Sequence, residues 1–275
     1  MRARSLSGVE ARVVLSLEER GEEEVSLDSI QTLGHVRRGF ARKLAHDLVV
    51  KGWLQRLGRG RYLLNPSSYG PEAGPESDPL RVGRHLVQPY YFGFATAAEL
   101  WGFLLQPGRT YYVVTPTRSA LHVVRPARFH LVHVAPRRFF GTAPLRRRGQ
   151  DLVVSDPERT VLDCLDRPEL TGGVGGAVQV FARAKPRLAW DRLGRHARRL
   201  GNRSLAQRVG YLAERVRASI RPPRAWAERL LPRPSDPWVP LGPPRTYGRA
   251  GPRDRRWHLV LNVPERELVA EGVPP

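Results

Sequence analysis

Residues 25–65 read VSLDSIQTLGHVRRGFARKLAHDLVVKGWLQRLGRGRYLLN, and the fold of the N-terminal part turns on this stretch. Ser26 is an N-cap candidate, because its hydroxyl can accept from a first-turn N–H, and Leu27, Ile30 and Leu33 follow at helical spacing until Gly34 stops the run. After a Gly34-His35 turn, Val36, Phe40, Leu44 and Leu48 recur every four residues, with Ala41 and Ala45 beside them. At roughly 100° per residue these positions share one arc of a helix, its core side. Arg38, Arg42, Lys43 and His46 fall on the opposite arc, Arg37 sits at the edge, and Asp47 projects towards the apolar side. Gly52 is placed to end the helix as a C′ glycine. Residues 53–56 and 62–64 then flank Leu57-Gly58-Arg59-Gly60-Arg61, a glycine-containing hairpin tip. Helix, turn, cationic helix and cationic hairpin together make a winged helix-turn-helix.

That order has a steric rationale on double-stranded DNA. The major groove admits one helix, and base-edge contacts come chiefly from the helix's N-terminal part, which here carries Arg37, Arg38 and Arg42. Arginine offers two parallel donors to O6 and N7 of guanine, a contact worth about 1–3 kcal/mol against the wrong base. A narrow tip ending in Arg59 and Arg61 can reach phosphates alongside. The candidate DNA-binding set is therefore Arg37, Arg38, Arg42, Lys43 and His46 on the helix, with Arg56, Arg59 and Arg61 on the hairpin. The competing reading is a winged helix used for protein contacts, its charges merely solvated.

The chain has 275 residues, enough for about two domains and for a core without disulfides or metals. Its 46 basic residues against 26 acidic ones leave a formal net charge of +20, a balance that points to polyanionic partners. All but three of the cations are arginine, which with 25 prolines is also what a GC-rich or thermophilic source produces. Cys164 is the one cysteine and lies in an apolar helical pattern, so neither a disulfide framework nor a cysteine zinc site is expected. The N-terminus has no apolar signal-type run, and no apolar stretch approaches the roughly 18 residues of a membrane span. A cytoplasmic protein is the expectation.

The expected division is residues 1–66 as the winged helix, 67–79 as a linker rich in Pro, Gly and Ser, and 80–275 as a larger mixed α/β domain. The whole is an α+β chain. Residues 6–20 predict a first helix with Val9, Val13, Leu15 and Leu17 as apolar positions. Residues 80–106 predict helix with a break at Pro89, with Ala98, Trp101, Leu104 and Leu105 as an apolar set. Strands are predicted over 110–115 and 129–134, with a turn at 116–119 between them. Residues 118–150 carry eight arginines and no Asp or Glu, a run that suits a nucleic-acid backbone, an acidic protein surface or plain solvent. A short strand then runs into Asp156 as N-cap, with Pro157 and Glu158 in the first turn. Helices are predicted near 176–185, 189–200 and 203–218, an extended proline-rich stretch over 222–244, and a last strand over 255–263. Residues 183–224 hold 13 basic side chains against Asp191 and Glu214 alone, a second positive surface.

Four pieces in this order resemble the AbiEi-type antitoxins of type IV abortive-infection toxin–antitoxin systems. They are KGWLQRLGRGRYLL at 51–64, YYFGFATAAELWGFL at 90–104, VSDPERTVLDCLDRPELTGG at 154–173, and QRVGYLAERV at 207–216 with RRWHLVLNV at 255–263. The first is shared with many winged-helix regulators; the third is the more specific. The resemblance implies a winged helix that binds inverted repeats in its own promoter and represses the operon. It also implies a C-terminal domain that opposes a nucleotidyltransferase toxin. A stand-alone winged-helix regulator without a toxin is the alternative.

No catalytic set, metal site or cofactor is expected. There is no Asp-x-Asp pair for nucleotidyl transfer, and the Gly-rich residues 168–176 lack the lysine of a phosphate-binding loop. Asp156, Glu158, Asp163 and Asp166 are the one acidic grouping that suggests Mg²⁺, without the lysine that completes a nuclease pattern. His122, His130 and His133 lie in a strand region without partners at zinc spacing.

Overall fold

The structure, a computed structural model, describes residues 4–70, 72, 78–105, 108–118, 127–147, 149–217 and 219–269. The chain divides into two compact units, Met1–Pro89 with Thr117–His130, and Tyr90–Pro116 with Leu131–Pro275.

The first unit opens with α1 (Gly8–Glu19), started by a capping box in which the Ser7 amide donates to Glu10 Oε2 at 2.6 Å. Val13, Val14 and Leu17 enter the core, whereas Leu15, about half a helical turn away from Val13 and Leu17, is exposed. Strand β1 (Glu24–Ser26) leads into α2 (Leu27–Gly34), capped by Ser26 Oγ accepting from the Ser29 amide at 2.9 Å. His35 turns the chain in the left-handed region (φ 52°) before α3 (Arg38–Val50). Gly52 (φ 77°) follows the end of α3, and the hairpin strands are β2 (Leu54–Gly58) and β3 (Arg61–Leu64). The sheet order is β1-β3-β2, with Val25 opposite Tyr62 and Leu54 opposite Leu64. This is a winged helix-turn-helix whose core runs from Val13 through Ile30, Leu44 and Leu48 to Trp53 and Leu64.

Two expectations are corrected here. Phe40, placed on the apolar arc, is 49% exposed, because the core is closed by Ala41, Leu44, Ala45 and Leu48 and the packing covers only part of the next position round. Strand β1 was not expected, since three residues cannot show an alternation. Beyond the wing, Ser67–Tyr69 makes a single 3-10 turn, and residues 71 and 73–77 of the expected linker lie outside the described residues. Helix α4 (Pro79–Gly83), capped by Asp78, belongs to the first unit.

Strands β4 (Tyr91–Phe92), β5 (Thr110–Thr115), β6 (Arg128–His133), β7 (Thr142–Arg147) and β8 (Gln150–Ser155) form a five-stranded sheet of order β6-β5-β4-β8-β7, which belongs to the second unit except for residues 128–130 of β6. Between β4 and β5 runs α5 (Phe94–Leu100); Trp101 and Leu104 follow its end half-buried, and Leu105, expected among the apolar set, is 72% exposed. Strand β7 was not foreseen, because Pro144 and two arginines, Arg146 and Arg147, hide its alternation. It pairs antiparallel with β8 over six residues each.

Helices α6 (Pro157–Asp166), α7 (Gly173–Ala184), α8 (Trp190–Leu200) and α9 (Arg203–Arg215) bury the large core of this unit. The stretch expected to be extended holds α10 (Arg224–Leu230), whose Trp226 and Ala227 are buried. Then come β9 (Val239–Pro240), α11 (Pro244–Tyr247), β10 (Arg253–Asp254), β11 (Leu259–Val260) and α12 (Glu265–Leu268). The late strand is thus two residues long, in a small sheet of order β10-β11-β9. Trp257 lies so close to α9 that a Cβ on Gly210 would stand 2.0 Å from its ring, so this contact demands glycine.

Candidate nucleic-acid interface

Helix α3 presents its arginines because its other face is used up. With Ala41, Leu44, Ala45 and Leu48 turned inwards, Arg38, Phe40, Arg42, Lys43 and His46 are left exposed, and Arg37 precedes them as the extended N-cap residue (φ −72°, ψ 152°). Arg38 reaches Asp28 on α2 at 3.2 Å, but both side chains are open to solvent, so the pair is worth little and opens readily.

The wing tip is Arg59-Gly60, with Gly60 at φ 69°. Its carbonyl accepts from the Leu27 amide at 3.2 Å, and a Cβ on Gly60 would meet Leu27 Cδ1 at 3.4 Å. The tip is therefore pinned to the start of α2. A register shift between Arg56 and Gly58 turns Leu57 inwards and leaves Arg56 exposed, its Nε donating to the Gly58 carbonyl at 3.2 Å. As a result Arg38 and Arg42 from α3 and Arg56 and Arg59 from the wing line one groove over Leu27, Gly60 and Tyr62. The adjoining hollow is lined by Arg42, His46, Val49, Arg56 and Tyr62. Arg37 and Lys43 stay outside both hollows, on exposed positions of α3.

Arg61 does not join them. Its Nε donates to Glu24 at 2.7 Å and its terminal nitrogens to the carbonyls of His85 (2.7 Å) and Leu86 (3.1 Å). The expectation that Arg61 reaches phosphates from the tip is corrected: it ties β3 to the segment after α4. The same corner holds Glu23, which accepts from Arg84, from His85 Nε2 at 3.0 Å and from Arg81 at 3.4 Å. The hydrogen bond from His85, and then the charges of Arg81 and Arg84, outweigh burial and hold the Glu23 carboxyl down at about 2. Arg4 is a further structural cation: it lies over the Trp53 ring at 3.7 Å and donates to the Asn65 carbonyl at 2.5 Å. Sequence reasoning missed this corner, although the run Glu22-Glu23-Glu24 ahead of an arginine-rich segment was its signal.

The acidic grouping of the second unit is occupied by structural work. Asp156 caps α6, accepting from the Arg159 amide at 2.7 Å, and its other oxygen meets His196 Nε2 at 2.8 Å. Glu158 accepts from the Ala189 amide at 2.7 Å, and Asp166 from Arg138 and Asn202, each at 2.7 Å. Asp163 and Arg159 form a buried pair at 2.8 Å, and burial pushes the Asp163 carboxyl up to about 6 although the guanidinium opposes it. Among the described residues no three or more His, Cys, Asp or Glu side chains are grouped to hold a metal ion. Cys164 is fully buried, which pushes its thiol up to about 12. His133 Nε2 lies 3.0 Å from the Pro116 carbonyl, whereas His122, Arg125 and Arg148 of the strand region lie outside the described residues.

No family model matches the chain, and no curated protein matches it. Among solved structures, the RV2827C protein from Mycobacterium tuberculosis is similar in fold, with a TM-score of 0.66 and 20% sequence identity, covering 94% of this chain and 92% of that one. No described helix is long and apolar enough to cross a membrane.

Proposed function

We propose that the chain is a double-stranded-DNA-binding antitoxin and autorepressor of the AbiEi type, acting on inverted repeats in its own promoter and opposing a nucleotidyltransferase toxin. The observation that carries the DNA-binding half is the shared groove of Arg38, Arg42, Arg56 and Arg59 between α3 and the wing. Four guanidinium groups from two elements on one solvent-open groove match a duplex, whose phosphates attract them while the major groove takes the helix. The toxin-opposing half rests on the four sequence pieces that resemble the antitoxin family.

The test is selection of duplexes from a random library by the full chain, followed by binding measurements on the selected sequence and on scrambled DNA. Arg42→Ala should cost about 1–3 kcal/mol on the selected duplex and much less on the scrambled one. Arg59→Ala should weaken both alike and lower the slope of log K against log salt by about 0.9. Equal losses on both DNAs for Arg38→Ala and Arg42→Ala would remove base readout from this helix. Preferential DNA binding with no growth rescue from an adjacent nucleotidyltransferase gene would transfer the chain to the stand-alone regulators.

A further inference from the structure

Arg37, Arg38, Gly39 and Phe40 are consecutive exposed residues at the start of α3. At roughly 100° per residue, the buried Ala41, Leu44, Ala45 and Leu48 define the inner arc of this helix, so Gly39, Lys43 and His46 stand in the middle of the outer one. Arg38 and Arg42 occupy the margin on the side of the wing, where they line the groove with Arg56 and Arg59. Phe40 occupies the opposite margin, its ring 49% exposed among Arg37, Arg38, Arg42 and Lys43. A single apolar side chain at a surface is ordinary. The place of this one is not, because the N-terminal part of a recognition helix is what meets base edges in the major groove.

Gly39 adds a second observation. A Cβ on Gly39 would meet nothing within 4 Å among the described residues, so no packing demand accounts for a glycine there. With no side chain in the middle of the outer arc, the first turn of α3 can lie close to the floor of a groove, within the short reach of Phe40. A phenyl ring brings neither a strong donor nor a charge to a phosphate or to a guanine edge. Of the four bases, thymine alone presents an apolar group in the major groove, its C5 methyl. We infer that Phe40 is a specificity-determining residue that packs on the C5 methyl of a thymine, beside a guanine read by Arg38 or Arg42. This rests on the reading of α3 as a DNA-recognition helix, and it adds to that reading a base which the arginines do not select. Two residues of helix rise by about 3 Å, close to the spacing of about 3.4 Å between base pairs, so the thymine lies within about two base pairs of that guanine.

The test takes the full chain and the duplex it selects from a random library, and replaces each thymine in turn by deoxyuridine, which removes the C5 methyl and nothing else. At a thymine near a guanine, the parent protein should lose about fourfold in affinity, the worth of one methyl group taken out of water. Phe40→Ala should bind the thymine and deoxyuridine duplexes equally, whereas Phe40→Leu, which keeps an apolar side chain, should retain most of the preference. Arg59→Ala should weaken both duplexes and keep their ratio. Urea denaturation checks that each variant is folded. A parent protein indifferent to every replacement, or a thymine preference that survives in Phe40→Ala, overturns the inference while leaving sequence-selective binding in place. A loss of affinity in Phe40→Ala on a duplex where deoxyuridine changes nothing also overturns it, and reassigns the ring to a wedge between base steps. Failure to select any duplex removes the DNA-recognition reading itself, and this inference with it.

Discussion

Glu23 and Asp163 are carboxylates perturbed in opposite directions, and each makes its own prediction. Glu23 is held at about 2, below its ordinary 4.5, by His85, Arg81 and Arg84. A depressed carboxyl stabilises the fold above its unfolded value and loses that contribution as pH falls, so the loss should run from about 4.5 down to about 2. Glu23 is more than a third exposed, so solvent screening limits the effect to about 1 kcal/mol. Urea melts from pH 5 to pH 2 should show Glu23→Gln less stable than the parent at pH 5, with the difference shrinking towards pH 2. A constant difference would detach the corner from this titration. Asp163 is the converse case, because it and Arg159 are both buried with little solvent to screen them. Arg159→Met leaves the carboxylate without its cation and should cost about 3–5 kcal/mol at pH 7. The raised carboxyl adds a sign: stability is greatest where Asp163 is protonated and falls as pH rises through about 6, so Arg159→Met should lose less at pH 5 than at pH 7. A double variant, Arg159→Met with Asp163→Leu, should recover much of the loss.

Helix α3 shows how far periodicity carries an element and where it stops. The four-residue recurrence picked out Leu44 and Leu48 correctly, and the cations opposite them are exposed. Phe40 obeys the same arithmetic yet stands in solvent, because a stripe is buried only as far as neighbouring elements cover it. The prediction is a contrast on one helix. Leu44→Ala should lower stability by about 2–5 kcal/mol, whereas Phe40→Ala should stay within about 0.5 kcal/mol, both read by urea denaturation. A large loss at Phe40 would mean that the ring is covered in solution. The hairpin teaches the same lesson. Arg59 and Arg61 were legible as a cationic tip, but Arg59 faces the groove while Arg61 is taken by Glu24 and by carbonyls that follow α4. Glu24 lies 37 residues upstream and the two carbonyls 24 and 25 residues downstream, beyond the reach of any local pattern.

At the scale of the molecule the formal net charge of +20 sets two opposed salt effects. Like charges repel in the folded chain, and raising salt from about 0.1 M to 1 M shortens the Debye length from about 10 Å to 3 Å. The thermal midpoint should therefore rise over that range, while affinity for duplex DNA should fall with log salt. A midpoint that falls instead would mean that the favourable ion pairs, such as those around Glu23, outweigh the repulsion. The helix-turn-helix, the wing and the start of α6 were readable from order and spacing alone, because caps, glycine stops and amphipathic periods act within a few residues. Which arginines line the groove, which are paired elsewhere, and why Phe40 is half exposed all depend on segments distant in the chain. Those outcomes come from packing and charge pairing between elements, whose partners exist only once the chain has folded.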